Sequence, residues 1–332
     1  TQHNALVLGP AWIGDMIMTD SLCQALKAQQ AKVFLTGPQH MQGLAQRLSA
    51  VDHYFAIDLP HGKLHWQRRK DWGKKLQRYT FERSIVTQMS WKSALIPFFA
   101  NIKIRSGWLG ELRYGLLNNT RRYSAKQYPT MLQKLVALAY EKNFPLHFED
   151  CPRPKLIPQK IVHFDLEQNP APILSLCPGA AYGPSKRWPS NHFAAVAKHY
   201  LSLGWQVWLF GGKNERPLAD NIQKQCQNQC QNWLGKTSLA ESIDLLAHSK
   251  AVLANDSGLM HIACALNIPT VALYGATAAT FAPPLFGKSA ALSLDLSCQP
   301  CKKRQCPLGH HNCMQNISPQ WVIENIEQFI TS

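Results

Sequence analysis

Short apolar runs of β type alternate with amphipathic stretches along nearly the whole chain, and only one passage breaks the pattern. In the first half, residues 5–8, 32–35, 54–57, 84–86 and 102–105 read as strands. Helical periodicity lies between them over 15–28, 41–48, 66–79 and 91–99. Parallel neighbours need a crossover connection, and a helix supplies it, so this alternation implies a parallel sheet flanked by helices. The break falls at Pro145, Pro152, Pro154, Pro158, Pro170 and Pro172. Proline obstructs helix interiors and central strands alike, which makes this passage the expected linker. The alternation then resumes, with strands at 173–177, 206–210, 251–254 and 270–273. Helices follow at 191–203, 216–227, 239–248 and finally 319–330. A chain of 332 residues has room for two such units. The expected division is 1–160 and 161–332, each an open, doubly wound α/β sheet. Ligands in such sheets bind outside the carboxyl ends of the strands, so the loops after strands hold the candidate chemistry.

Charge narrows the partners. Lys and Arg number 35 against 20 Asp and Glu, a formal +15, and residues 1–150 hold 20 of those cations against 10 acids. The densest run, 61–83, includes Arg68, Arg69, Lys74 and Lys75 and only two acids, Asp71 and Glu82. Such a surface attracts polyanions: nucleic acid, anionic lipid or a phosphorylated glycolipid. It is equally the solvated face of a basic helix. No apolar run approaches the roughly 20 residues that cross a bilayer. Residues 1–8 lack the basic start and cleavage site of a secretion signal, so a cytosolic setting is expected. In that setting the ten cysteines read as free thiols or metal ligands rather than disulfides.

Four stretches carry candidate chemistry. Gly9-Pro10-Ala11-Trp12-Ile13-Gly14-Asp15 follows the first strand, and its glycines permit a tight turn close to a ligand. Asp15, at the helix entrance, either caps the helix or takes a proton from a sugar hydroxyl; taken alone, the cap is preferred. The spacing is not that of a G-x-G-x-x-G fingerprint. Loop 178–189, Pro-Gly-Ala-Ala-Tyr-Gly-Pro-Ser-Lys-Arg-Trp-Pro, offers Lys186 to neutralise phosphate charge but lacks a Walker A arrangement. Its plain alternative is a solvated loop with two surface cations.

Asn255-Asp256-Ser257-Gly258-Leu259-Met260-His261 follows an apolar strand and opens a helix, where free amides and the helix dipole cradle a pyrophosphate. Against that reading, an aspartate here is commonly a cap and a lone histidine a satisfied, partly buried residue. Last comes Cys298-x2-Cys301-x4-Cys306-x6-Cys313, with His310 and His311 inside it. Four sulfurs are able to hold zinc tetrahedrally, but only one C-x2-C pair occurs. Reduced thiols in a peripheral loop are the expected state.

Together with Trp91-Lys-Ser-Ala-Leu-Ile-Pro-Phe-Phe99 and the distinctive Arg105-Ser-Gly-Trp-Leu-Gly-Glu-Leu-Arg-Tyr-Gly-Leu-Leu-Asn118, these stretches resemble the heptosyltransferases of glycosyltransferase family 9. The similarity runs through nearly the whole chain. It implies a GT-B architecture: two facing Rossmann-like domains around a cleft, the first binding acceptor and the second ADP-heptose. It implies inverting transfer of heptose to the first heptose of the lipopolysaccharide inner core. The acceptor is then Kdo-lipid A bearing that sugar, at the cytoplasmic face of the inner membrane, with peripheral contact to anionic lipid. A first-heptose or branch transfer within the family is the nearest alternative. A basic nucleic-acid-binding protein is disfavoured, since aromatic RNA-binding signatures are absent.

One-step inversion needs a base on the acceptor hydroxyl and stabilisation of the departing diphosphate. The resemblance gives the first role to Asp15, reversing the preference for a cap, and the second to Lys186. For the donor it points to Gly14, Lys186, Glu215, Thr237, Asp256, Ser257, Gly258 and His261. For the acceptor, Arg68, Arg69, Lys74, Lys75 and Arg113 are the candidates. Family members can carry hydroxyl residues where this chain has Ala180 and Ala181, so contacts there fall to backbone amides. The cysteine cluster recurs in some relatives and is not expected to be catalytic. No cofactor is implied beyond the donor substrate, and no Asp-x-Asp pair calls for a divalent cation.

Overall fold

The computed structural model describes residues 3–59, 63–160, 170–285 and 287–331. It divides into two compact units, Thr1–Lys155 and Leu156–Ser332. The expected boundary, 160/161, adjoins residues 161–169, which lie outside the described residues.

In the first unit six strands, β1 (His3–Leu8), β2 (Ala31–Gly37), β3 (His53–Ala56), β4 (Arg83–Val86), β5 (Ile104–Trp108) and β6 (Asn119–Arg121), form one sheet in the order β3-β2-β1-β4-β5-β6. The second unit repeats the plan with β7 (Ile173–Cys177), β8 (Gln206–Leu209), β9 (Gln231–Asn232), β10 (Ala251–Asn255), β11 (Thr270–Tyr274) and β12 (Ser289–Ser293), ordered β12-β11-β10-β7-β8-β9. Every neighbouring pair is parallel. In each unit the winding reverses beside the first strand, between β1 and β4 and between β7 and β10. Loops leave opposite faces of the sheet at that point and open a crevice at the strands' carboxyl ends. The Gly9 and Pro178 loops start there, directly after Leu8 and Cys177.

Strands β7, β10 and β11 are buried at every residue. Helices cover both sheet faces, which explains why these strands read as continuous apolar runs rather than alternating ones. The second core gathers Leu176, Phe193, Tyr200 and Leu253 with Val322 and Ile326 from helix Pro319–Thr331. In the first unit Phe34 stacks on Phe55 and meets Phe81 edge-on, with ring centroids 5.9 and 5.1 Å apart. The prolines at 145, 152 and 154 are not a loose tether. The buried Asp20 carboxylate accepts the N–H of Ala50 and of Lys155, both at 3.0 Å, tying the end of that passage to the first unit.

Sequence periodicity misses three edge strands for a common reason. Strands β6 and β9 are three and two residues long and polar, and β12 is Ser-Ala-Ala-Leu-Ser. The helix expected over 91–99 opens as a 3-10 turn, Trp91–Ala94, and becomes α-helical only at Leu95–Phe99. No described helix is long and apolar enough to cross a membrane.

Candidate active site

In the second unit, the β7/β10 crevice collects most of the donor-side candidates. Asn255, the last residue of β10, is fully buried. Its amide donates to the Pro178 carbonyl at 2.8 Å, and its side-chain oxygen accepts from Trp188 N at 3.0 Å. One side chain thus pins both ends of the 178–188 loop. Within that loop Lys186 Nζ stands 2.5 Å from Asp256 Oδ2, and Thr277 Oγ1 donates to the same oxygen. The side chains of the ion pair are only 13% and 9% exposed. Desolvating two charges offsets much of their attraction, so such a pair does more for position than for stability. Asp256 thus holds the Lys186 ammonium in place.

Ser257 is the N-cap of helix Gly258–Ala265 but makes no side-chain cap bond. Its hydroxyl and the Nδ1 of His261 are buried without a hydrogen-bond partner from the protein. Orphaned polar atoms of this kind are costly and call for a ligand's polar groups. They stand beside first-turn amides, the arrangement that suits a diphosphate. Burial pushes the His261 imidazole down to about 4, with Asp256 pulling up and Lys186 further down, so the ring is neutral at pH 7. Glu215 accepts from Gly212 N at 2.9 Å, and a Cβ at Gly179 would overlap its carboxylate. Thr237 pairs its hydroxyl with Ser242 Oγ at 2.7 Å, just ahead of helix Leu239–Leu246.

Gly14 and Asp15 belong to the first unit. Gly9 N donates to Thr36 O at 2.9 Å, and a Cβ on Gly9 would lie 2.6 Å from that oxygen, so the chain leaves β1 only through a glycine. Helix Ile13–Ala28 starts behind Trp12, which offers no side-chain cap. Asp15 sits in the first turn, half-buried, rather than at the cap. The helix dipole favours its carboxylate there. It also acts on Lys134, whose ammonium is lowered by burial and raised by Asp15. Lys134 escaped the sequence reading because its helix, Met131–Val136, was missed. The signal was present, since Thr130-x-x-Gln133 forms a capping box.

A cavity of about 340 Å³ opens at the carboxyl edge of the first sheet, lined among others by Gly9, His40, Asp58, Arg69, Gln88 and Lys92. Arg68, Lys74 and Lys75 are exposed on helix Trp66–Leu76, with Lys75 over the Trp72 ring at 5.1 Å. Arg69 is buried and donates to the Leu64 and Lys92 carbonyls at 2.8 and 2.9 Å. Arg113 requires a correction. It is fully buried, and its guanidinium is committed to the carbonyls of Trp108, Gln88 and Ser90 and to Ser93 Oγ. Burial holds it down at about 10, still cationic at neutral pH. It clamps the distinctive 105–118 stretch onto 88–93 and does not offer itself to an acceptor. Thr277 and Asn255, by contrast, join the site although sequence reasoning gave neither a role.

A family model described as glycosyltransferase family 9 (heptosyltransferase) matches residues 69–312. Over 98% of both chains, the sequence is 39% identical to lipopolysaccharide heptosyltransferase 2 of Salmonella typhimurium and 38% identical to that of Escherichia coli. The solved structure of E. coli ADP-heptose LPS heptosyltransferase II matches with a TM-score of 0.85 at 35% identity, covering 99% of this chain and 98% of that one. The paired six-stranded parallel sheets are the α/β, GT-B-like fold of that enzyme. With its fold and both switch-point loops inside a match of this extent, the chain belongs to glycosyltransferase family 9, the heptosyltransferases.

Proposed function

We propose that this glycosyltransferase moves heptose from ADP-heptose to the first heptose of the lipopolysaccharide inner core, on a Kdo-lipid A acceptor, with inversion at the anomeric carbon. The observation that carries the reading is the β7/β10 crevice. There a nearly buried lysine, a helix N-terminus and two unpartnered buried polar atoms surround the place where a diphosphate would be held. The acceptor hydroxyl oxygen bonds to the anomeric carbon as the bond from that carbon to the β-phosphate oxygen breaks. The hydroxyl proton passes to the Asp15 carboxylate. The electron pair departs with ADP, whose charge Lys186 and the first-turn amides stabilise. Glu215 and Thr237 serve the nucleoside, and no cofactor takes part.

Two further points support the choice of acceptor. The relatives at 36–39% identity over 98% of this chain are all named heptosyltransferase 2. Those named heptosyltransferase 1 and 3 align over 41% and 28% of it. The basic run around Arg68, Lys74 and Lys75 suits an acceptor held in an anionic membrane, and the enzyme works peripherally at the cytoplasmic face of the inner membrane.

Incubation with ADP-heptose and either Kdo2–lipid A or its mono-heptosylated form, reading ADP release and product mass, tests this directly. Transfer to the mono-heptosylated acceptor alone is expected. Transfer to the bare acceptor would reassign the step, and transfer to neither, with active controls, would remove the function. Asp15→Asn should lower kcat by at least ~100-fold while donor binding persists; near-normal turnover would take the base role from Asp15.

A further inference from the structure

The cysteine-rich loop near the chain's end belongs to no part of the proposed reaction, yet its four cysteines share one cavity. Cys298, Cys301, Cys306 and Cys313 all line a single small cavity of about 20 Å³, joined there by His310 and His311. All four are free thiols. Residues fifteen positions apart in sequence converge on it from two directions: Cys298 and Cys301 from the segment after β12, and Cys313 from the short helix Asn312–Gln315. Around Cys306 the chain turns so that the backbone N–H groups of Leu308, Gly309, His310 and His311 approach its sulfur. A turn of that shape favours a metal-bound thiolate, because N–H donors offset the negative charge left on the ligand.

We propose that these four cysteines bind one zinc ion as thiolates. Four sulfurs complete the tetrahedral shell that zinc prefers in structural sites. With four sulfurs in the shell, neither histidine is needed as a ligand, and their ring nitrogens hold the surrounding backbone instead. His311 Nε2 reaches the Ser185 carbonyl at 2.9 Å, and His310 Nδ1 accepts from Asn312 N at 3.0 Å. Among the described residues no group of three or more such side chains is placed to hold a metal ion without moving. Binding therefore draws the sulfurs inward, from lining the cavity to the Zn–S distance of about 2.3 Å. Metal binding commonly supplies the free energy for ordering of this kind.

The loop's contacts say what the ion would do. Its residues 302–304 hold the donor-side turn: Tyr182 Oη donates to Lys302 O at 2.7 Å, Ser185 Oγ to Lys303 O at 2.5 Å and Ser185 N to Arg304 O at 3.2 Å. On the other side Lys302 N donates to Ala276 O at 2.8 Å, and Gln299 Nε2 to Gly275 O at 3.1 Å. These anchors adjoin Lys186 and Thr277, the two partners of Asp256. A zinc ion in the cavity would fix both arms of that cluster without touching substrate.

The test is metal analysis of the full chain purified under reducing, chelator-free conditions, then thiol counting on the native protein with and without added chelator. About one zinc per chain is expected, with four thiols that react rapidly with a disulfide reagent only after chelation. Cys306→Ser should lower the zinc content, and chelated wild type should lose several degrees of Tm that added zinc restores. Chelation of wild type keeps the test informative if the variant fails to fold. Less than about a tenth of an equivalent, even after incubation with zinc, and thiol reactivity indifferent to chelator would overturn the proposal. Stoichiometric iron in place of zinc would overturn the choice of ion. Neither readout depends on the transferase reaction, so failure here leaves the proposed function standing.

Discussion

His261 shows how much a single buried group commits the fold. Its imidazole has a folded pKa of about 4, against about 6.5 for an unfolded histidine. Below pH 6.5 the unfolded chain takes up a proton that the folded chain refuses, so this residue makes stability fall as pH drops from 6.5 towards 4 and leaves it flat above. Between pH 6.5 and 5 the loss is roughly 2 kcal/mol. His261→Gln should therefore lose on the order of 1–2 kcal/mol less than wild type from pH 7 to pH 5 in denaturant titrations; equal losses would show that the ring is not held neutral by the fold. The residue was legible because Asp-Ser-Gly-Leu-x-His directly follows a buried strand, and strand ends are where such sheets bind ligands. Lys186 stood out on the same grounds, whereas Asp15 by itself read as a cap and became a candidate base only through the family resemblance. Thr277 was not, since Gly275-Ala276-Thr277-Ala278 reads as an ordinary turn until a fold brings it to Asp256. Arg113 misled for the converse reason. An arginine in a distinctive motif looks the same whether it meets a ligand or clamps carbonyls, and only its burial separates the two.

Among elements, the two switch-point loops make opposite demands on their glycines. A Cβ at Gly9 meets the Thr36 carbonyl, which belongs to a central strand and has nowhere to go. A Cβ at Gly179 meets the Glu215 carboxylate, the end of a flexible side chain that is able to swing away. Gly9→Ala should therefore destabilise the first unit by about 1–3 kcal/mol. Gly179→Ala should leave Tm within a degree or two and instead raise the KM for ADP-heptose severalfold, because Glu215 is displaced from Gly212 N. Equal thermal losses in the two variants, read by calorimetry, would contradict this distinction. The elements themselves were read well where burial was greatest. Two-sided burial writes an unbroken apolar run, as in β7, β10 and β11. Edge strands carry no such signature: β9 is only Gln231–Asn232, defined by its hydrogen bonds to β8 rather than by its residues.

At the scale of the whole molecule, two units of identical winding share very unequal charge. Residues 1–150 carry 20 cations to 10 acids, against 15 to 10 in the remainder. Both features were legible, the first because alternation resumes after the prolines and the second by counting. Which cations are free to meet a partner was not, because Arg69 and Arg113 fold inward while Arg68, Lys74 and Lys75 stay in solvent. The proposed membrane contact consequently belongs to the exposed three. Each cation near an anionic lipid surface is worth about 1 kcal/mol, so replacing all three by glutamine should weaken partitioning into phosphatidylglycerol-containing vesicles by up to about 100-fold at low salt. Screening should shrink the difference as ionic strength rises beyond physiological values, where the Debye length falls below about 8 Å. Turnover on a detergent-solubilised acceptor should change little, since these side chains attract the surface that bears the acceptor rather than the reacting sugar. Vesicle sedimentation decides between the alternatives. Undiminished partitioning of the triple variant would show that helix Trp66–Leu76 is only a solvated basic face, whereas equal binding of wild type to neutral vesicles would show that charge is not what brings the enzyme to a membrane.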